Sequence, residues 1–352
     1  MPTDMQPTLI QVVPAGQGGV FDYQQCLKAQ WDARGLSSHV IAFSEELAAL
    51  QSLAERVDAC IGESSPPACS IVLHFSGYGY AKRGVCFWLL DELKALRAAR
   101  RHTLKLTVVF HELFATGPPW RSAFWVSGSQ KRIATLLAQM ADAAWTNTQR
   151  HATWLRHEVR SGVNLHQWPV FSNIGEPSVV PPPSHRVARA VVFGLASTRQ
   201  RAFNAVRGHE LVLHRLGVQE LVEVGSGATS TRASLGIPIR QLGRLEQAEL
   251  GELLQSSRFA LVDYPSDCLA KSGVFAAYAA HGCVVIDTSP PGLDTDDLVG
   301  GRDYFSLQTL SRDSTADLAT NAMELAAAGC HRWYGEHRLD LQAAQLWALA
   351  TA

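Results

Sequence analysis

The 352-residue sequence has no C-x-x-C pair, no excess of either charge sign, no long apolar run, no fixed-period repeat and no long low-complexity tract. Each absence narrows the field. The seven cysteines (Cys26, Cys60, Cys69, Cys86, Cys268, Cys283, Cys330) are odd in number and scattered, which argues against zinc and fits a reducing compartment better than a disulfide framework. No apolar run reaches the ~18 residues that a bilayer-spanning helix needs. A net charge of −1 provides no global field for nucleic acid, so no nucleic-acid partner is expected and any anion site has to be local. The opening MPTDMQPTLIQVV carries an acidic residue and no basic region before its short apolar run, so a secretory signal is not expected and a cytoplasmic location is.

What is present is a globular composition, 47% apolar and 18% charged, on a chain long enough for two domains with separate cores. Short apolar runs at 8–13, 38–43, 70–75, 106–110 and 143–148 read as strands, and the first leads through a glycine turn into a helix over about 21–34. Strands alternating with helices predict a parallel sheet whose ligand crevice lies at the strands' C-terminal ends. The texture then changes to a stretch containing Pro181, Pro182 and Pro183, stiff and extended. A second α/β series follows, with strands at 190–194, 221–224, 259–263 and 284–287. The expected division is 1–175, a linker at 176–189, 190–330, and a C-terminal helical stretch at 331–352 whose return to the first domain periodicity does not decide. Two such domains predict a cleft between them.

Several strand-end segments carry candidate chemistry. In PSDCLAKSGVFAAYAAHGCVVID, residues 265–287, Ser272 is placed to cap a helix and Gly273 admits close backbone approach, so the helix N-terminus suits a phosphate or diphosphate; an ordinary loop and helix is the alternative. Gly16-Gln17-Gly18-Gly19 lets backbone approach a ligand, or forms a structural turn. It is not G-x-G-x-x-G, and no acidic residue lies at the distance a nicotinamide fingerprint requires. His111-Glu112 ends a hydrophobic strand, where an imidazole can hydrogen-bond a substrate or transfer a proton, with Glu112 orienting or opposing it; a histidine satisfying turn backbone is the alternative. The segment from His74 to Gly84 offers Tyr78 and Tyr80 as faces for a sugar ring or lipid, and Lys82 and Arg83 as cations for an anionic acceptor, against a solvated loop. Arg199 and Arg201 follow small polar residues where a diphosphate fits a guanidinium fork, against surface arginines on a helix's first turn. Lys94, Arg97, Arg100 and Arg101 on one helix suit anionic headgroups, hence peripheral membrane contact, or form a solvated face.

Taken in order, these segments resemble the GT-B glycosyltransferases, in particular the large retaining family that uses sugar nucleotides to build surface polysaccharides and glycolipids. The resemblance covers nearly the whole chain. It rests on Gly18-Gly19 with Tyr23, on His111-Glu112, on Trp145-Thr146-Asn147-Thr148 and on Asn173. In the second half it rests on Val192-Phe193-Gly194, Leu242-Gly243-Arg244-Leu245, Pro265-Ser266 and the run Ala280 to Val285. The resemblance implies an α/β fold of two Rossmann-like domains facing a cleft, an N-terminal acceptor domain and a C-terminal nucleotide-sugar domain. It implies that Gly18 and Gly19 approach donor phosphate and acceptor, and that His111 touches the transferred sugar. Arg244 and Leu245 flank the base, Ser272, Gly273 and Val274 offer amides to the diphosphate, and Arg199 or Arg201 stands at the basic phosphate clamp.

The sequence departs from the family at its paired glutamates, whose positions are taken by Leu269 and Ala277, with Lys271 close by to pair with phosphate. The expected activity is transfer of a hexose from a nucleotide-diphosphate sugar to a glycan or lipid-linked acceptor. No cofactor is expected, and with no DxD-type site read, no metal. The alternatives are a catalytically silent GT-B subunit that binds a sugar nucleotide or a partner protein, and another enzyme on the same fold such as an epimerase or phosphorylase.

Overall fold

The computed structural model describes residues 7–16, 18–62, 68–117, 119–120, 122–227, 229, 236–312 and 320–352. They form two compact units, Met1–Trp168 with Leu339–Ala352, and Pro169–Arg338. The seven cysteines are free thiols.

The first unit holds six parallel strands: β1 (Thr8–Pro14), β2 (Ser38–Phe43), β3 (Cys69–Phe75), β4 (Leu104–Phe110), β5 (Ala143–Thr146) and β6 (Asn164–Gln167). Their order is β2-β1-β3-β4-β5-β6, so the chain reverses its direction of travel across the sheet between β1 and β3. Both faces are covered, which is why β1 and β3 read as continuous apolar runs rather than alternating ones. One cover is the helix Gly19–Asp32, which buries Tyr23, Leu27 and Trp31 at a spacing of four. The last helix, Leu339–Thr351, belongs to this unit and not to its sequence neighbours. The Trp31 indole donates to the Ala343 carbonyl at 2.8 Å, Ser70 Oγ to that of Ala350 at 2.8 Å and Lys105 Nζ to that of Leu349 at 2.6 Å.

The second unit is also parallel, with β7 (Val187–Phe193), β8 (Glu220–Val224), β9 (Ile239–Gln241), β10 (Ser257–Val262), β11 (Val284–Asp287) and β12 (Phe305–Ser306) in the order β12-β11-β10-β7-β8-β9. Its reversal lies between β7 and β10. There the buried Tyr278 hydroxyl accepts from the Phe193 amide at 3.1 Å and donates to the Val191 or Leu261 carbonyl, tying the two strands to the helix Gly273–Ala280. The stretch 176–189 lies within this unit. Two of its carbonyls are taken by side chains, Val179 O by Gln255 Nε2 and Pro181 O by the Arg186 guanidinium, which also donates to His281 O.

Candidate functional site

In open parallel sheets, ligands bind outside the strands' C-terminal ends where the strand order reverses. The first unit's reversal carries the glycine turn after β1 and the imidazoles of β3 and β4. Gly18 has φ 145°, a conformation that favours glycine, and precedes the helix Gly19–Asp32 with no side-chain cap. A Cβ on Gly18 or Gly19 would meet nothing within 4 Å, so the turn is open to an approaching group. Gln17 lies outside the described residues.

His111 follows β4 and its amide continues the ladder to the Phe75 carbonyl at 3.0 Å. Its ring is half-buried between aromatic neighbours, the Tyr23 edge at 4.8 Å and the His74 ring at 5.5 Å. His74 and His111 are within 17° of coplanar with Nδ1 and Nε2 3.2 Å apart, so they share an N–H···N bond rather than stacking face to face. Behind them His74 Nε2 meets Gln11 Oε1 at 3.1 Å, and Gln11 Nε2 donates to Ser38 Oγ at 3.1 Å. Burial pushes the His74 imidazole well below the ordinary histidine range, and the neighbouring His111 adds to the effect, so His74 is neutral. The sequence reading missed His74 and Gln11 as members of this group. The available signal was a polar residue inside each of two otherwise apolar strands, since buried polar side chains require partners.

Glu112 does not orient His111 through any bond described here. Its Oε2 accepts from Ser76 Oγ at 3.0 Å and so ties the loop after β4 to the loop after β3. That loop is not solvated throughout. A Cβ at Gly77 would crowd the Gly84 carbonyl and one at Gly79 the Pro14 ring, so the glycines permit close packing. Tyr80 is buried with its hydroxyl donating to Val12 O at 3.3 Å, which corrects its expected place as an acceptor face. Tyr78, Lys82 and Arg83 are exposed. On the helix Phe87–Ala99 and just beyond it, Arg97 bonds Asp142 and Arg100 bonds Asp58, while Lys94 pairs with Asp91. Two of the four cations expected to meet lipid are therefore tied to other elements.

In the second unit, Arg199 is the main correction. It is 1% exposed, its Nε donates to Glu223 Oε1 at 2.8 Å, and its guanidinium also bonds the carbonyls of Gly194, Ser226 and Gly227. Its Nε, Nη1 and Nη2 all bond inside the unit, so it shapes the loops after β7 and β8 and is not placed to clamp phosphate. Gly225 fits beneath it: a Cβ there would overlap the guanidinium. Glu223 Oε2 accepts from Thr229 Oγ1 at 3.0 Å and Gln241 Nε2 at 2.7 Å. Glu223, Gln241, Gly225, Ser226, Gly227 and Gly243 line a cavity of about 270 Å³. Arg244, exposed, and Leu245, half-buried, follow directly on Gly243. Arg201 points the other way from Arg199, half-exposed, with its Nε bonded to Asp263 Oδ1 at 2.6 Å at the end of β10.

Ser272 caps the helix Gly273–Ala280, accepting from the Phe275 amide at 3.2 Å. The first amides of a helix have no acceptor within it, which leaves those of Gly273 and Val274 without an intrahelical partner. A Cβ at Gly273 would make only ordinary contact, 3.7 Å from Asn173 Oδ1, so space around this turn is not filled by the chain. Lys271, half-buried, has no bonded partner among the described residues. Val274 lies close to Gly194, so the loop after β7 and this helix N-terminus meet at the reversal. Leu269 and Ala277, at the positions of the family's glutamates, are 1% and 0% exposed and belong to the core.

Asp294 and Asp296 have D-x-D spacing, which the sequence reading passed over. Asp294 Oδ1 accepts from the Gly300 amide at 3.0 Å, and among the described residues no group of three histidine, cysteine or acidic side chains could hold a metal ion. No described helix is long and apolar enough to cross a membrane.

No family model matches the sequence, and no curated protein matches it significantly. Solved structures do match along the whole chain. An alpha-glucosyltransferase in complex with UDP is similar with TM-score 0.57 at 10% identity, covering 99% of this chain and all of that one. The pneumococcal O-GlcNAc transferase GtfA, in complex with UDP and GlcNAc, gives 0.54 at 11% identity over 97% and 98% of the two chains. The α,α-trehalose 6-phosphate synthase from Burkholderia multivorans gives 0.57 at 12% identity over 98% and 96%. The fold is that of the GT-B glycosyltransferases, two Rossmann-like α/β units. One expectation is overturned. The alpha-glucosyltransferase is also known in complex with UDP and a 13-mer DNA, so a GT-B chain of this length accommodates nucleic acid, and net charge alone does not exclude it.

Proposed function

We propose that this chain is a retaining glycosyltransferase that moves a sugar from a nucleotide-diphosphate donor to a glycan or lipid-linked acceptor, in surface polysaccharide or glycolipid synthesis. The observation that carries the reading is the Ser272-capped helix N-terminus at the β7/β10 reversal, with the first-turn amides of Gly273 and Val274 and with Lys271 beside it. Breaking a glycosyl–phosphate bond through an oxocarbenium-like transition state leaves most of the negative charge on the departing diphosphate. The Gly273 and Val274 amides and the Lys271 ammonium meet that charge without a metal ion. Arg201, the half-exposed one of the two arginines, adds to them by exchanging Asp263 for phosphate.

The cavity beside Gly243, Arg244 and Leu245 takes the base, and uridine stands first because the similar solved structures hold UDP. His111 hydrogen-bonds the transferred sugar, and Gly18 and Gly19 leave room for phosphate and acceptor. A thermal-shift panel of UDP, GDP, dTDP, ADP and CDP with their sugar conjugates tests the reading, since a ligand of the folded state raises the midpoint by mass action. A selective shift that Lys271→Ala abolishes supports it. A flat panel, with no donor turnover in the presence of oligosaccharide, lipid-linked or DNA acceptors, favours the catalytically silent subunit. Turnover unchanged by a chelator supports the metal-free reading, and loss of turnover sinks that part.

A further inference from the structure

We propose that the first unit docks on an anionic lipid surface through the N-terminal end of the helix Ser122–Met140, with the Trp120, Phe124 and Trp125 rings at the headgroup–acyl boundary and Lys131 and Arg132 on the headgroups. The proposal goes beyond the sugar-transfer reading and does not rest on it. Trp120 is 84% exposed and Trp125 76%, and the exposed Phe124 meets Trp125 edge to face at 5.6 Å. Single apolar side chains on a surface are ordinary, but three large rings between positions 120 and 125 form a patch, and such patches mark contact surfaces. Indole and phenyl rings are also the side chains that bilayer interfaces collect.

The helix is divided lengthwise. Ile133, Ala134, Leu137 and Ala138 enter the first unit's core, while Phe124, Trp125, Gly128, Lys131 and Arg132 are exposed. A spacing of seven residues aligns Lys131 with Phe124 and Arg132 with Trp125, so rings and cations share one stripe. Seven residues are about 10 Å of helix, comparable with the depth to which interfacial helices bury their apolar side. The rings therefore reach the acyl boundary while the cations remain among the headgroups.

Charge selects the partner. No acidic residue occurs between Glu112 and Asp142, although the chain as a whole carries a net charge of −1. Neither Lys131 nor Arg132 is paired with a carboxylate among the described residues; Lys131 Nζ lies over the Phe114 ring at 5.9 Å. The adjoining loop after β3 adds the exposed Lys82 and Arg83, and Gln130 fastens it to the helix by donating to the Arg83 carbonyl at 2.7 Å. A neutral glycan also stacks on aromatic rings, but lysine and arginine only donate, and their charge is used only by an anion. No described helix is long and apolar enough to cross a membrane, so the contact is peripheral. It also falls on a different element from the helix Phe87–Ala99, where Arg97 bonds Asp142 and where Arg100, just past its end, bonds Asp58.

The test is co-sedimentation of the full chain with vesicles of phosphatidylcholine, alone or mixed one to one with phosphatidylglycerol. The expected result is binding to the mixed vesicles, weaker binding to the neutral ones, and release by added salt. Trp120→Ser with Trp125→Ser is expected to weaken binding about tenfold or more, and Lys131→Gln with Arg132→Gln roughly 30-fold. These positions are exposed, so both variants should keep the wild-type thermal midpoint, and if one fails to fold the other decides. No binding of wild-type chain to the mixed vesicles overturns the proposal. So does binding that neither variant weakens, or that is equal on the two kinds of vesicle. An oligosaccharide that changes the tryptophan fluorescence of wild-type chain but not of the tryptophan variant, without any vesicle binding, makes the patch a glycan platform instead. A chain that binds UDP but no vesicle loses only the docking surface, and one that binds vesicles but no nucleotide sugar loses only the glycosyltransferase reading.

Discussion

The two sheets end in different chemistry. Around the β1/β3 reversal the side chains that meet include no carboxylate, ammonium or guanidinium and are directional: Ser38, Gln11, His74, His111 and Tyr23, joined by hydrogen bonds of 3.1–3.2 Å and ring edges. Around the β7/β10 reversal they are ionic, with a buried Arg199–Glu223 pair, a half-exposed Arg201–Asp263 pair and Lys271 beside a helix N-terminus. Neutral donors and acceptors of fixed direction discriminate hydroxyl groups, whereas cations and helix amides stabilise phosphate. On the proposed function, the same parallel-sheet architecture would serve a sugar in one unit and a diphosphate in the other.

The largest effect that would break this contrast is expected at Arg199. Arg199→Ala leaves Glu223 buried without its cation, at a cost of about 3–5 kcal/mol, read as a lower urea midpoint with faster amide exchange at Gly194 and Gly227. Arg201→Ala, by contrast, removes a half-exposed pair and is expected to cost at most about 1 kcal/mol. An equal loss in both would erase the distinction between loop-shaping and ligand-facing arginines.

Asp287 gives the next effect. Burial pushes its carboxyl up to about 7, against the bonds from Ser289 that favour the ionised form. The folded chain therefore holds a proton that the unfolded chain releases near pH 4, and stability falls as pH rises from about 4 to about 7, by an amount on the order of a few kcal/mol. Asp287→Asn is expected to remove that slope in denaturation measured across the range. An unchanged slope would show that the carboxyl is not protonated in the fold. Below these in size, Lys271→Ala is expected to weaken UDP binding about tenfold, or ~1.4 kcal/mol, by calorimetry, with stability unchanged. Tyr23→Phe, which loses the hydroxyl bond to Gln342, should cost about 0.5–1.5 kcal/mol, and a null result would detach the C-terminal helix from the first unit's site.

The strands of both sheets were legible because a parallel sheet covered on both faces demands continuous apolar runs, as in β3 and β11. β6, β9 and β12 were not: NLHQ and IRQ are polar edge strands and β12 has two residues, so none carries that signal. At the site, His111 was visible because it ends an apolar strand, but its partner His74 lies inside one and gains meaning only when register brings Gln11 beside it. Arg199 misled because arginine suggests solvent. Its spacing pointed the other way, since Arg199, Ala202, Phe203 and Val206 form one buried stripe of the helix Ala196–Val206, with Arg201 on the opposite side. Leu269 and Ala277 were noticed as losses, and their burial shows that those positions turn into the core.

The central claim is that the ionic sheet end holds the nucleotide diphosphate. Amide hydrogen exchange of the full chain with and without saturating UDP tests it most directly. The account predicts slowed exchange at Gly273 to Phe275 and across the loop at 225–227. Exchange there unchanged by UDP, at a concentration where calorimetry shows binding, would contradict it and place the nucleotide elsewhere.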